Sequence, residues 1–380
     1  MTFSRRRDTT DKGDDTASPS RSPLRRAKEG RRAKRKVGGN PRQAMARCII
    51  TVVCAVVFLV SLTGAGEISA ARPGERLTPA PVAGVASATG AEAKVFTSNK
   101  KGQYTFDTGI LRGQLLQAGK SLGLSSLVHV PSAVRLDGTF GIASYYRVFT
   151  TNTRYGTAAW DWPSASKLLP DGAVQITWPE GEDRPFQMVA IYRWKDSATL
   201  DLETIVKPSK DLSNFEVFLA SYFQEVFPSP CVYVGVNPDV DGKPGFLTAK
   251  KPFGDWQMFP RNQEVLQVVH DGRWQKEPNP VKWVIMPCMA APICLRRGTA
   301  TDLVAVLMAP PDDCFAIATP YEGESHYSLY LSLFGRDIKA GETAKARSRF
   351  VVTTGVSDHQ ILELYHKYMK DLANRLFSKE

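Results

Sequence analysis

The stretch "YEGESH" places two carboxylates and an imidazole, Glu322, Glu324 and His326, within five residues. A carboxylate beside an imidazole can exchange a proton near neutral pH, so this spacing suits acid/base chemistry. The residues that follow, "YSLYLSL", alternate as a β-strand does. Tyr327, Leu329, Leu331 and Leu333 take one face, and His326, Ser328, Tyr330 and Ser332 take the other. If the extended backbone reaches back to Glu322, both carboxylates join the polar face. In a two-layer sandwich the leucine face is the core, which leaves the polar face on a groove or in solvent. A groove lined by carboxylate, imidazole and phenol would donate and accept hydrogen bonds to a hydroxyl-rich ligand. The plainer reading is a wetted strand edge.

A second cluster, Tyr145 to Pro163, holds Arg147, Arg154, Tyr155, Trp160, Asp161 and Trp162 in a segment whose Thr, Asn and Gly suggest a loop between strands. Flat rings can cover the apolar face of a sugar while Arg and Asp fork onto its hydroxyls. The alternative is that both tryptophans belong to the core, because Trp is highly buried on average. A third cluster, Phe253 to Gln275, repeats the theme with Trp256, Arg261, Asn262, His270 and Trp274. His270 precedes Asp271-Gly272, a hairpin signal, and reads as a strand-end residue. His129, beside Pro131, is a further candidate to face a cleft.

Metal and cofactor signals are sparse. Asn237, Asp239 and Asp241 put oxygens at alternate positions before Gly242, as a Ca2+ loop begins, but Pro238 stands second and Thr248 where a closing glutamate belongs. An ordinary turn is the preferred reading, and no other cofactor is expected. Cys231, Cys288, Cys294 and Cys314 form either two disulfides or a set of free thiols, with no histidine at zinc spacing.

The elements that would position these groups are strands. Runs such as "VQITW", "FQMVAIYRW", "TLDLETIV", "FEVFLASYF", "VYVGV" and "LVAVLM" are β-branched or aromatic, and Pro/Gly/Asp turns separate them. Helical periodicity of useful length appears only over 358–377, where Ser357 and Gln360 form a capping box before Ile361, Leu364, Tyr365, Tyr368, Leu372 and Leu376. Many strands and one late helix point to an all-β class: a large antiparallel β-sandwich with a C-terminal amphipathic helix. Phosphate-cradling glycine loops and a nucleophile elbow are absent, which excludes the commonest nucleotide and hydrolase chemistries.

Charge is unevenly placed. Residues 1–47 carry 15 Lys/Arg against 5 Asp/Glu, whereas 48–380 carry 34 against 33. The basic tail reads as disordered, and the nearly neutral body offers no footprint for nucleic acid. The uncharged run 48–66 follows Arg42 and Arg47 and precedes small residues that a signal peptidase could cut. It is expected to be either a cleaved signal or a retained membrane anchor, with the body extracytoplasmic: periplasmic, secreted or anchored. A start at Met45 would make 1–44 an over-called beginning and leave a compact signal peptide. Residues 67–100, rich in Ala, Pro, Gly and Thr, read as a tether ahead of a domain spanning 101–380, with ordered structure beginning between Phe96 and Tyr104.

The run "SATLDLETIVKPSKDLSNFEVFLASYF", the closing "FGRDIKAGETAKARSRFVVT" and the opening "GLSSLVHVPSAVRLDGTFGIASYYRVFTTNTRYG" resemble the galactose mutarotase-like supersandwich domains of carbohydrate-active proteins. The resemblance spans about residues 105–355 and implies a saccharide-facing concave sheet. The aldose epimerases of that superfamily use two histidines and a late glutamate. The resemblance therefore implies His129 or His270 for a histidine and Glu322 or Glu324 for the glutamate, although no local motif of that enzyme is present. The expectation is an exported domain that binds a saccharide or polysaccharide. If it is an enzyme, Glu322 or Glu324 with His326 or His270 exchanges protons, Arg154 holds an anionic or hydroxyl group, and Trp160 or Trp256 stacks. The rival, from another class, is a cell-envelope structural or protein-interaction domain.

Overall fold

The computed structural model describes residues 96–99, 103–116 and 122–377. The basic tail, the uncharged run 48–66 and nearly all of the expected tether lie outside the described residues. Phe96 is buried, and Thr97–Ser98 pairs with Tyr104 and Thr105. Ordered chain therefore begins inside the last residues assigned to the tether. Among the described residues no helix is long and apolar enough to cross a membrane.

Alternation drives the architecture. Thr199–Pro208 buries Leu200, Leu202, Thr204 and Val206 on one face, and Leu212–Tyr222 buries Val217 and Leu219 in the same core. The strands assemble into a nine-stranded and a seven-stranded sheet, with a five-stranded sheet built from Thr97–Arg135. Nearly all pairs are antiparallel; Trp256–Pro260 with Val284–Ile285 is a parallel pair at one edge of the seven-stranded sheet. The main core lies between the sheets and joins Leu329, Leu331 and Leu333 to Ile176, Met188, Tyr192, Phe350 and Leu307. Each such side chain contributes about 1.5–3 kcal/mol by leaving water. Polar ties cross this core: the Tyr145 hydroxyl meets Thr204 Oγ1 at 2.6 Å, and the Tyr192 hydroxyl donates to the Ala143 carbonyl at 2.8 Å.

The second face of each large sheet is covered differently. Against the nine-stranded sheet lies the helix Asp358–Phe377, whose Ile361, Tyr365 and Tyr368 pack on Ile293, Leu295, Val306 and Val351. Its predicted capping box forms, with Gln360 N–H donating to Ser357 Oγ at 3.3 Å and Ser357 N–H to Gln360 Oε1 at 2.9 Å. Against the seven-stranded sheet lies the irregular segment 261–283, and that face carries the candidate site.

Two expectations about local structure are corrected here. Ser144–Thr150 is a strand rather than loop; its Thr and Asn residues make only the tight turn to Thr153–Arg154, where Asn152 takes φ 53°. The disulfide alternative is not taken, since Cys231, Cys288, Cys294 and Cys314 are all free thiols. Burial pushes the Cys314 thiol up to about 12 and Cys294 well above its ordinary value, so both are inert packing groups.

Candidate functional site

Strand register creates an open floor. On the outer face of the seven-stranded sheet, Phe218 of Leu212–Tyr222 stands opposite Ser332 on one side and Arg147 on the other. Two residues on, Ala220 stands opposite Tyr330 and Ser144, and Tyr222 opposite Ser328. Ala316 and Ala318 adjoin Ser332 and Tyr330 on the next strand, Cys314–Pro320. Aromatic rings thus alternate with very small residues, which leaves depth between the rings. The predicted alternation holds: Leu329, Leu331 and Leu333 enter the main core, and Tyr330 joins the outer aromatic cluster.

The segment 261–283 roofs this floor without filling it. Arg273 anchors it from a fully buried position, donating to Glu216 Oε2 at 2.8 Å, to Asp271 and to the Asn214 carbonyl. Trp274 then packs edge-on to Phe218 at 4.8 Å, and Trp283 meets Trp274 at 5.0 Å and 89°. Between roof and floor lies a cleft of about 430 Å³, lined by Tyr146, Tyr222, Trp256, Trp283 and Tyr330 together with Arg147 and His326. That volume lies in the range of small-ligand sites, about 300–1,000 Å³.

Arg147 is the charged group of the inner cleft. Only 4% exposed, it donates through Nη2 to the Asn279 carbonyl at 2.9 Å and to the Tyr146 hydroxyl at 3.2 Å. Its Nε and Nη1 hydrogens are buried without a partner. Its guanidinium lies 4.9 Å from the Tyr146 ring centroid and 5.5 Å from that of Trp274. Rings offset part of the cost of burying a cation, but a carboxylate offsets far more, and none pairs with Arg147 among the described residues.

His326 stands at the mouth. Glu324 holds it twice: Oε1 lies 2.8 Å from Nδ1, and Oε2 accepts from the His326 backbone N–H at 2.9 Å. With Nδ1–H directed at the carboxylate, a neutral ring presents Nε2 as an acceptor. Trp256 meets the imidazole edge at 5.6 Å. Burial pushes the Tyr330 phenol up to about 12 and Tyr222 well above its ordinary value. Both hydroxyls therefore stay protonated at neutral pH and act as hydrogen-bonding groups, with Tyr330 donating to Tyr222 at 3.4 Å.

Of the predicted site residues, the fold brings together Arg147, Trp256, Glu324 and His326. Glu322 does not join them. The strand begins at Ser328, and Glu322-Gly323 forms a turn in which Gly323 takes φ 80° and Glu322 N–H donates to the Ala249 carbonyl. Trp160 is buried, stacked between Tyr146 at 4.6 Å and Phe140 at 5.4 Å, so it supports the wall from behind. Trp162 belongs to the main core with Arg184 over its ring. Tyr155 packs on that core edge-on to Phe186.

Arg154 is a clip, donating to the carbonyls of Thr157 and Pro278, and burial together with nearby Arg147 lowers its pKa to about 10. It therefore steadies the roof segment, while Arg147 takes the place in the cleft expected of Arg154. Arg261 donates to the Pro311 carbonyl at 2.8 Å. His270, expected at a strand end, closes the short helix Leu266–Val269 and is exposed. His129 is buried, meets Ser132 Oγ at 2.7 Å, and belongs to the five-stranded sheet. Neither histidine lines the cleft. In the calcium-like stretch, Asn237 accepts from Asp239 N–H at 2.9 Å as a helix cap, and Asp239 pairs with Lys250 at 2.8 Å. Among the described residues no group of three or more His, Cys, Asp or Glu is placed to hold a metal ion.

Sequence reasoning missed Tyr146, Phe218, Tyr222 and Trp283 as cleft residues. The alternation of Phe218, Ala220 and Tyr222 was a signal for the floor, because a small residue between two rings on one strand face leaves a gap. No local signal marks Trp283, whose place depends on the roof.

No family model matches the chain, and no curated protein sequence matches it. Solved structures do resemble it. One is a galactose mutarotase-like protein from Lactobacillus casei, with 12% identity, covering 66% of this chain and 100% of that one, at a TM-score of 0.44. Another is a putative aldose 1-epimerase from Escherichia coli K12, with 10% identity, covering 67% and 99%, at a TM-score of 0.40. A third is an alpha-N-acetylgalactosaminidase from Bifidobacterium bifidum, with 7% identity, covering 72% and 37%, at a TM-score of 0.39. At these identities and TM-scores the likeness adds nothing beyond the fold described above, a large antiparallel β-sandwich.

Proposed function

We propose that the cleft binds a saccharide unit, and that His326 held by Glu324 exchanges a proton with it. The observation that carries this reading is the buried, carboxylate-free Arg147 inside an aromatic-walled cleft. Tyr and Trp rings match the C–H face of a pyranose, and a guanidinium with unpaired Nε and Nη1 hydrogens favours a carboxylate, a sulfate or a set of hydroxyls. Nε2 of His326 accepts the proton of a hydroxyl or of an activated ring carbon, and Glu324 stabilises the resulting imidazolium. Trp256 packs against the His326 ring, 5.6 Å between centroids. The uncharged run 48–66 adds the proposal that this domain works outside the cytoplasm, on extracellular or envelope glycans. An outer sheet face left open under a roof favours this reading over a structural or protein-interaction domain, which would require a filled sheet and an apolar outer patch.

The test is calorimetry of the full chain against neutral hexoses, uronates and sulfated saccharides. At least one class is expected to bind, and Arg147→Met and Trp256→Ala to weaken it. Absence of heat with every class would refute the reading, as would binding indifferent to both substitutions.

A further inference from the structure

Beyond His326 the cleft does not end. A second cavity of about 260 Å³ shares Tyr222 and His326 with the first, and its other walls include Thr139, Phe140, Glu225 and Ser325. The aromatic wall runs unbroken from one to the other. Tyr146 in the cleft stacks on Trp160 at 2° between planes, and Trp160 stacks on Phe140 of the second cavity at 10°. Phe140 in turn lies 5.0 Å from Tyr222. The two cavities differ in charge. The cleft holds Arg147, whose Nε and Nη1 hydrogens are unpaired and which meets no carboxylate among the described residues, whereas the second cavity carries the exposed carboxylate of Glu225. Glu324 is turned onto His326, the residue that stands between them.

We propose that the two cavities are adjoining subsites for one linked saccharide. Its acidic unit lies in the cleft against Arg147, its neutral unit lies in the smaller cavity beside Glu225, and the linkage passes over His326. This rests on the saccharide reading of the cleft and adds the length and charge order of the ligand. A neutral hexose unit suits the second cavity, because Thr139, Ser325 and Glu225 offer hydroxyl and carboxylate partners to sugar hydroxyls. An acidic unit there would face Glu225 at close range and be repelled.

Calorimetry with the full chain separates the layers of this claim. The probes are glucuronate and galacturonate, each alone and each joined to a neutral hexose, together with the corresponding diuronates. The mixed disaccharide is expected to bind at least tenfold more tightly than its free uronate, and more tightly than the diuronate. Thr139→Trp, which fills the smaller cavity, is expected to erase that gain. Glu225→Arg is expected to reverse the order of mixed disaccharide and diuronate. A free uronate that binds as tightly as its disaccharide overturns the two-subsite proposal and leaves the saccharide reading intact; so does a gain that survives Thr139→Trp. Tighter binding of the diuronate by the unaltered protein overturns the charge order. No binding of any mono- or disaccharide removes both this proposal and the reading beneath it.

Discussion

The two faces of the seven-stranded sheet come from the same strands and are built to opposite ends. On the inner face Leu219, Leu331 and Ile317 meet the other sheets in a filled core. On the outer face the positions between Phe218, Tyr222 and Tyr330 are Ala220, Ala318, Ser328 and Ser332. The inner face gains stability by excluding space. The outer face keeps space and moves the task of closure to a roof held by a buried ion pair, Arg273 with Glu216. Within that outer face the same contrast recurs between two buried arginines: Arg273 is paired with two carboxylates, and Arg147 has Nε and Nη1 hydrogens that no group satisfies among the described residues.

The largest effect should come from breaking the roof anchor. Glu216→Ala strands the Arg273 charge with Asp271 alone and is expected to cost about 3–5 kcal/mol, measured by urea unfolding. Hollowing the inner face comes next: Leu331→Ala is expected to cost about 2–5 kcal/mol by the same measurement, with ligand affinity little changed. If instead Leu331→Ala damaged binding more than stability, the division of labour between the faces would be wrong.

Arg147→Met sharpens the contrast between the arginines. It should change stability by no more than about 1 kcal/mol, because an uncompensated buried charge is removed. Affinity for a uronate should fall about 10- to 100-fold, the worth of hydrogen bonds to a charged group. Stability falling as far as in Glu216→Ala would mean that Arg147 is a structural residue after all. Trp256→Ala should weaken saccharide binding about 2- to 10-fold, the usual scale for one aromatic contact; an unchanged dissociation constant would remove Trp256 from the site.

The smallest effect is one of pH. Burial pushes the Glu216 carboxyl above its ordinary value of 4.5 despite the opposing pull of Arg273. The native state therefore keeps this proton at pH values where the unfolded chain has released it. Stability contributed by the group is full below pH 4.5, falls as pH rises through the raised value, and is level above it. Glu216→Gln should flatten that slope in melting curves recorded upward from pH 4.5. Parallel curves for the two proteins would assign the slope to another group.

Much of the fold was legible because it depends on near neighbours in sequence. Strand alternation over 327–333 and the Ser357/Gln360 cap are local patterns, and both form. Cys314–Pro320 and Met289–Arg297 were not read as strands. The first is buried on both faces and so shows no alternation, and the second contains Pro292 and a pair of arginines. The sequence offered Glu322 or Glu324 as the partner of His326, and the turn ahead of Ser328 selects Glu324 by folding its carboxylate back onto the imidazole. The condition that would bring Glu322 onto the polar face, extended backbone from 322 onward, is not met, because the chain turns at Gly323. For Trp160 the core alternative holds over the stacking surface, because Phe140 and Tyr146 cover both of its faces.

What the sequence alone determined is the periodic part of the molecule: a β-sandwich, its leucine core and its capped terminal helix. Those follow from dihedral preference, period and spacing, which act over a few residues. Only the tertiary structure decided which charge is left open. Arg273 finds Glu216 across 57 positions of sequence, while Arg147, opposite Phe218 on the next strand, finds rings and a carbonyl but no carboxylate. Burial and Coulomb pairing are set by whichever groups arrive in space, and composition does not record that arrival.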